Sequence, residues 1–322
     1  MAHNPDSLFS EETLSAAGFP TISYDVLAVG TDMRSDERHL RPEDTEAYAW
    51  AVEDEDPWFF GPSPFGGAVC HPTLLANQAL LLRHNRFVVP AGLHARMVFR
   101  FHKAIPLGAR IRTTGQVVDK YWRRDKPYMV TAFETRGDDG TLYTSGRFVQ
   151  MLFAKDTAPA SGSSAGSNRA GDAAPAYDDS IASAQGRDGV LERGQALPAL
   201  SRTIVQRQID IYSGIRPFSI HTDEDWARRK GFAATIAQGM MSTAYISTML
   251  QRAVGAGFVE GGTMDAKFLK PVLCGDTLEV TGTVAGFTRD EDGRVRAHVT
   301  VAAHNQRGEQ TMAGSASGVC AP

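Results

Sequence analysis

Two residues in the stretch Ser213–Met240, His221 and Gly239, have the types and spacing to act on an acyl group. An imidazole held uncharged near neutral pH can take or return a proton. Thr222 and Asp225 have the spacing of a capping box, which predicts a helix starting at Thr222 with His221 one residue outside it. The unpaired N–H groups and positive dipole end of such a helix disfavour imidazolium and keep the ring a base. Further on, Gln238-Gly239-Met240-Met241-Ser242 leads into a mostly apolar run to Leu250, the pattern of a second helix. Gly239 has no Cβ, so a carbonyl oxygen can approach the free N–H groups of that helix start closely. A neutral base and an oxyanion donor are two halves of an acyl-group site.

These residues need elements to position them. Ile22–Val29 reads as a short strand and Arg41–Ala51 as a helix, interrupted by Glu53-Asp54-Glu55-Asp56-Pro57. A second helix follows from about Pro72 to Arg86, with proline in its first turn. Four strand-like runs come next, near His94–Ile105, Arg110–Trp122, Tyr128–Thr135 and Leu142–Phe153. Residues 155–199, rich in Ala, Ser, Gly and Asp, read as a flexible linker. The pattern then starts again. An apolar–polar alternation over Thr203–Ile211 precedes the His221 stretch, a helix to about Val254 and strand-like runs near Gly262–Val272, Thr277–Phe287, Val295–Ala303 and Gln310–Val319.

The letters repeat as well. Phe101-His-Lys-Ala-Ile-Pro-Leu-Gly108 matches Phe268-Leu-Lys-Pro-Val-Leu-Cys-Gly275 at an offset of 167, and Ala68-Val-Cys-His-Pro-Thr73 matches Ile236-Ala-Gln-Gly-Met-Met241 at 168. Near-constant offsets imply a tandem duplication of one helix-plus-antiparallel-sheet unit. The units are then residues 1–154 and 200–322, joined by 155–199.

At this level the sequence resembles the MaoC-like hydratase/dehydratase family in its tandem, double hot-dog form. The family motif runs Ser/Ala-Gly-Asp-x-Asn-Pro-x-His-x-Asp, then Gly-Phe, then Ile-Ala-His-Gly-Met. Ser213-Gly214, His221-Thr222-Asp223, Ala227, Gly231-Phe232 and Ile236-Ala237-Gln238-Gly239-Met240 match it, and Lys270-Pro271-Val272 with Gly275-Asp276 resemble the downstream strand connection. The resemblance implies an α+β fold, a long helix wrapped by an antiparallel sheet, twice over. It implies a lyase that hydrates an enoyl thioester or dehydrates a 3-hydroxyacyl one. CoA or an acyl carrier would be part of the substrate, with no separate cofactor. His221 would be the acid/base, Gly239 N–H the oxyanion donor and Ser247 a supporting hydroxyl.

The departures are specific. The family Asp is absent: its place is Ile215 counting forward from Ser213-Gly214, or Arg216 counting back from His221. Gln238 stands for the family's histidine before the glycine. In the first half Asp54 holds the acid position, but Phe59 stands for the histidine and Pro72, without an N–H, for the glycine. His71 parallels Gln238. Ser213, Arg216, Gln238, Ser247 and Asp54 are the candidates for holding substrate. Arg216 is either a surface side chain or a guanidinium for a substrate carboxylate. Asp54 is a relic, a helix-end charge, or a replacement carboxylate reaching in from the other half. Alternatives to hydration are another proton transfer, thioester hydrolysis, or acyl binding without turnover.

Composition narrows the field. With 33 basic against 37 acidic residues and no basic block, nothing points to nucleic acid or an anionic membrane. Cys70, Cys274 and Cys320 make neither a disulfide framework nor a zinc site, and no histidine spacing suggests a metal. The start reads as no secretory signal and no run spans a bilayer, so a cytoplasmic monomer or homodimer is the expectation.

Overall fold

Burial alternates along the strands: from Arg110 to Val118 every second residue faces the core. Such a pattern requires a sheet with one covered face. The computed structural model describes residues 18–89, 92–152, 175–215 and 219–321. The N-terminal unit supplies β1 (Asp32–His39), β2 (Gly92–Phe101), β3 (Arg110–Arg123), β4 (Lys126–Gly137) and β5 (Leu142–Leu152). The C-terminal side supplies a small hairpin, β6 (Ser183–Gln185) and β7 (Val190–Glu192), then β8 (Leu200–Thr203), β9 (Thr263–Phe268), β10 (Thr277–Arg289), β11 (Val295–Asn305) and β12 (Gln310–Val319). All but the hairpin join one antiparallel sheet in the order β1-β3-β4-β5-β2-β9-β12-β11-β10-β8. The second five positions repeat the first five in reverse, as two hot-dog units joined edge to edge.

The helices follow the same duplication. They are α1 (Pro42–Val52), α2 (Leu74–Leu81), α3 (Gln206–Ser213), the short α4 (Glu224–Arg229), α5 (Gly239–Val254) and α6 (Ala256–Val259). A 3-10 turn over Leu82–Asn85 prolongs α2. α2 packs on β3 and β4, and α5 on β10, β11 and β12. One hydrophobic core runs through both units, from Phe99 and Phe148 to Tyr245 and Phe287.

Equivalent backbone hydrogen bonds fix the register of the repeat. Cys70 N–H donates to Ile105 O and Ala237 N–H to Val272 O. Leu107 N–H donates to Ala68 O and Cys274 N–H to Thr235 O. Both pairs give an offset of 167, so the match read at 168 around Ala68 is one residue out: His71 aligns with Gln238 and Pro72 with Gly239. Val98 and Asp265, which are equivalent at that offset, face each other where β2 meets β9. Tyr48 of α1 and Tyr212 of α3 meet with ring centroids 5.3 Å apart. They too are equivalent, since Gly108 N–H donates to Leu40 O as Gly275 N–H does to Ile204 O. A pseudo-twofold axis therefore passes through both contacts.

Three local expectations change. The alternation over Thr203–Ile211 is strand only to Thr203; beyond it Gln208, Ile209 and Tyr212 are buried at helical spacing in α3. Ile22–Val29 forms turns and no strand, while β1, too polar to show a pattern, pairs with β3. The linker read over 155–199 does not extend that far. Residues 155–174 lie outside the described residues, but 175–199 hold the β6–β7 hairpin. There Ile181, Leu191 and Leu197 are buried, and Leu197 N–H donates to Gly282 O at 2.9 Å.

Candidate active site

His221 sits in a loop tied down from two sides. Its own N–H donates to Ser219 Oγ at 3.2 Å, and Gln206 Nε2 of α3 donates to its carbonyl at 3.0 Å. Ile236 N–H donates to Ile220 O at 3.0 Å, and Ile236 O in return accepts from His221 Nδ1 at 2.8 Å. A carbonyl can only accept, so Nδ1 carries the hydrogen and the neutral ring has its lone pair on Nε2. The tautomer a base needs is set by this carbonyl. The predicted helix-end contact is displaced: α4 begins at Glu224, with Asp223 as its cap, whose carboxylate accepts from Trp226 N–H at 2.9 Å. That carboxylate, rather than His221, complements the helix start.

Ile236 also leads into α5. Gln238 is the residue before the helix, in extended conformation and buried, and makes no side-chain cap bond. Gly239 is the first helical residue, where N–H groups have no acceptor within the helix. Phe268 of β9 lies against it: a Cβ at Gly239 would fall 3.0 Å from Phe268 Cδ1. His94 of β2 stacks on the other face of the cluster, its ring 5.7 Å from that of Phe268 at 12°. Burial pushes the His94 pKa down to about 3, helped by the charges of Arg83 and His221. The His221–Gly239 region is thus lined by the N-terminal unit as well as its own.

The remaining candidates separate. Ser213 is buried at the end of α3. Ile215 is exposed, and Arg216, with Pro217 and Phe218, lies outside the described residues. Ser247 is fully buried, and its Oγ has no hydrogen-bond partner among the described residues. Eight residues beyond Gly239 in α5, it stands about 12 Å further along the helix axis.

Asp54 is drawn into a different cluster. Its Oδ2 accepts from Thr248 Oγ1 of α5 at 2.7 Å and stands 3.2 Å from His71 Nε2, with Arg252 4.0 Å from Oδ1. Thr73 N–H donates to His71 Nδ1 at 3.2 Å, which leaves the hydrogen of neutral His71 on Nε2, facing the carboxylate. The two atoms face each other without the alignment of a hydrogen bond. Burial works to raise the Asp54 pKa, but His71, Thr248 and Arg252 outweigh it and hold the carboxyl below its usual range. No hydrogen bond or ion pair joins Asp54 to His221 among the described residues.

This cluster marks the duplicated position in the N-terminal unit. Val69 N–H donates to Trp58 O as Ile236 N–H does to Ile220 O, so Phe59 occupies the place of His221. Sequence reasoning named Asp54 and His71 separately and missed that they pair. The signal was available, because His71 parallels Gln238 and Asp54 holds the acid position of the same motif. His94 carried no sequence signal at all.

Comparison with known proteins follows the same division. A family model described as MaoC like domain matches residues 192–306. The (R)-specific enoyl-CoA hydratase of Rhodospirillum rubrum is 33% identical over 104 residues, 31% of this chain and 71% of that protein. Among solved structures, a MaoC domain protein dehydratase from Chloroflexus aurantiacus aligns with a TM-score of 0.71 at 12% identity, over 94% of this chain and 99% of that one. A Mycobacterium tuberculosis protein described as having a double hotdog fold aligns with a TM-score of 0.64 at 15% identity, over 94% and 99%. At those identities the structures support the fold; the hydratase similarity supports the family.

Proposed function

This chain belongs to the MaoC-like dehydratase family, and from that premise we propose that it adds water to an enoyl thioester, or removes it from a 3-hydroxyacyl one. The observation that carries the reading is His221, held by the Ile236 carbonyl in the tautomer of a base and linked by that same turn to Gly239. In the hydration direction Nε2 takes a proton from water as its oxygen bonds to the β-carbon. The alkene electrons move onto the thioester oxygen, where the Gly239 N–H stabilises the enolate. The imidazolium then returns the proton to the α-carbon, so that one water is added in all. No redox partner is needed, and CoA or a carrier protein is the handle of the substrate.

Ile215 or Arg216 stands where the family has its Asp, which favours a one-histidine mechanism over the family's Asp–His pair. Arg216, which takes the place of the family Asp when counted back from His221, would then bind a carboxylate on the substrate. The test is turnover of enoyl-CoA and 3-hydroxyacyl-CoA thioesters, with and without a second carboxylate. His221→Ala is expected to lower kcat about 10²- to 10⁴-fold with folding intact. Arg216→Ala should lose only the carboxylate-bearing substrates. Release of free CoA would point to hydrolysis instead, and saturable binding without turnover would refute the hydratase reading.

A further inference from the structure

The N-terminal unit buries two polar side chains beside this site that nothing in the fold explains. Gln150 of β5 is fully buried, and neither end of its amide has a partner among the described residues. His94 is directly opposite on β2, and although part of the residue reaches the surface, its Nε2 is buried and also lacks a partner among the described residues. Buried polar groups left unsatisfied cost stability, so their presence in a core asks for a reason. The backbone makes room for this pair. A Cβ at Gly92 would fall 2.1 Å from Gln150 Nε2, and the register slips between His94 and Arg96. The slip sets the His94 ring between Phe148, at 6.0 Å, and Phe268, which packs on Gly239.

We propose that His94 and Gln150 form a neutral hydrogen-bonding subsite that takes an uncharged polar group of the acyl thioester bound at His221 and Gly239. This rests on the thioester reading above. An imidazole that stays unprotonated and a carboxamide offer donors and acceptors but no charge. A carboxylate there would lose its water without a compensating cation, whereas a hydroxyl, carbonyl or amide would be satisfied. Two parts of a thioester carry such groups: a substituent on the acyl chain, and the amides of the pantetheine arm.

The test uses the full chain, with His94→Phe, which keeps the stack on Phe268, and Gln150→Leu. Rates are measured on crotonyl-CoA, 4-hydroxycrotonyl-CoA and the S-propyl thioesters of both acids. Loss of one hydrogen bond is expected to lower kcat/KM about 10-fold in either variant. A fall confined to the two hydroxylated substrates assigns the acyl hydroxyl. A fall on both CoA thioesters, absent from both S-propyl ones, assigns a pantetheine amide. A uniform fall on all four, or changes under about twofold on all four, overturns the subsite. If the wild type turns over none of them, the hydratase reading fails separately. The subsite is then read by calorimetry with butanoyl-CoA and 4-hydroxybutanoyl-CoA. A weakening of about 10-fold in the variants supports it, while equal affinities or no binding overturn it. Gln150→Met replaces Gln150→Leu if the latter does not fold.

Discussion

At the scale of single residues, the site depends on how little room surrounds Gly239. The Phe268 ring fills the space a methyl group would need, and His94 stacks against that ring, so the ring cannot move back freely. Gly239→Ala keeps the N–H but forces the helix start or the Phe268 ring to give by a few tenths of an ångström, and is expected to lower kcat/KM by up to about 10-fold. Phe268→Leu in the same chain should restore part of the loss, measured by steady-state kinetics. Much of this was legible in the sequence, since His221 and Gly239 stand out by spacing and motif. The tautomer was not, because it depends on a carbonyl that the fold brings to the ring from Ile236. Nor was the loss of Asp54 to a separate cluster, which requires knowing that Thr248 of the other unit lies beside it.

At the scale of elements, α5 does two tasks. Its first turn belongs to the His221 site, while Thr248, near its middle, donates to Asp54 and ties the helix to the N-terminal unit. Asp54→Ala removes the carboxylate that Thr248 Oγ1 and His71 Nε2 face in a buried position, leaving Thr248 only its bond to Ala244 O. It should destabilise the protein by about 1–3 kcal/mol in urea unfolding. Folding lowers the Asp54 pKa below its ordinary 3.8, so the folded protein binds the proton less readily than the unfolded chain. The stabilisation is therefore complete above about pH 4 and fades as the pH falls further. Melting temperatures below pH 4 should drop less steeply in Asp54→Asn than in the wild type. Strands with a clean alternation, such as β3 and β10, could be placed from sequence alone. β1 could not, because its residues are mostly exposed and only its backbone pairing to β3 makes it a strand. Nor could α3, whose buried Gln208 reaches Glu53 far away in the chain.

At the scale of the whole molecule, the two units share a sheet and a core. β2 and β9 pair at the centre, and across that seam Arg96 Nε donates to Asp265 Oδ1 at 2.7 Å. A C-terminal unit expressed alone as residues 175–322 would expose the β9 edge and the apolar face that α1 and β2 now cover. It is expected to self-associate or precipitate rather than sediment as a monomer in analytical ultracentrifugation.

When two identical chains make an enzyme, every substitution is made twice, and a change useful at one site must be tolerated at the other. Here the axis through Val98–Asp265 and Tyr48–Tyr212 relates two copies that are spelled separately in one chain. With the chemistry proposed for His221 and Gly239, Phe59 and Pro72 can stand at the equivalent positions of the other copy, because the two are encoded separately. The covalent join therefore uncouples inheritance from symmetry. One copy can then keep the proposed chemistry while the other is free to drift.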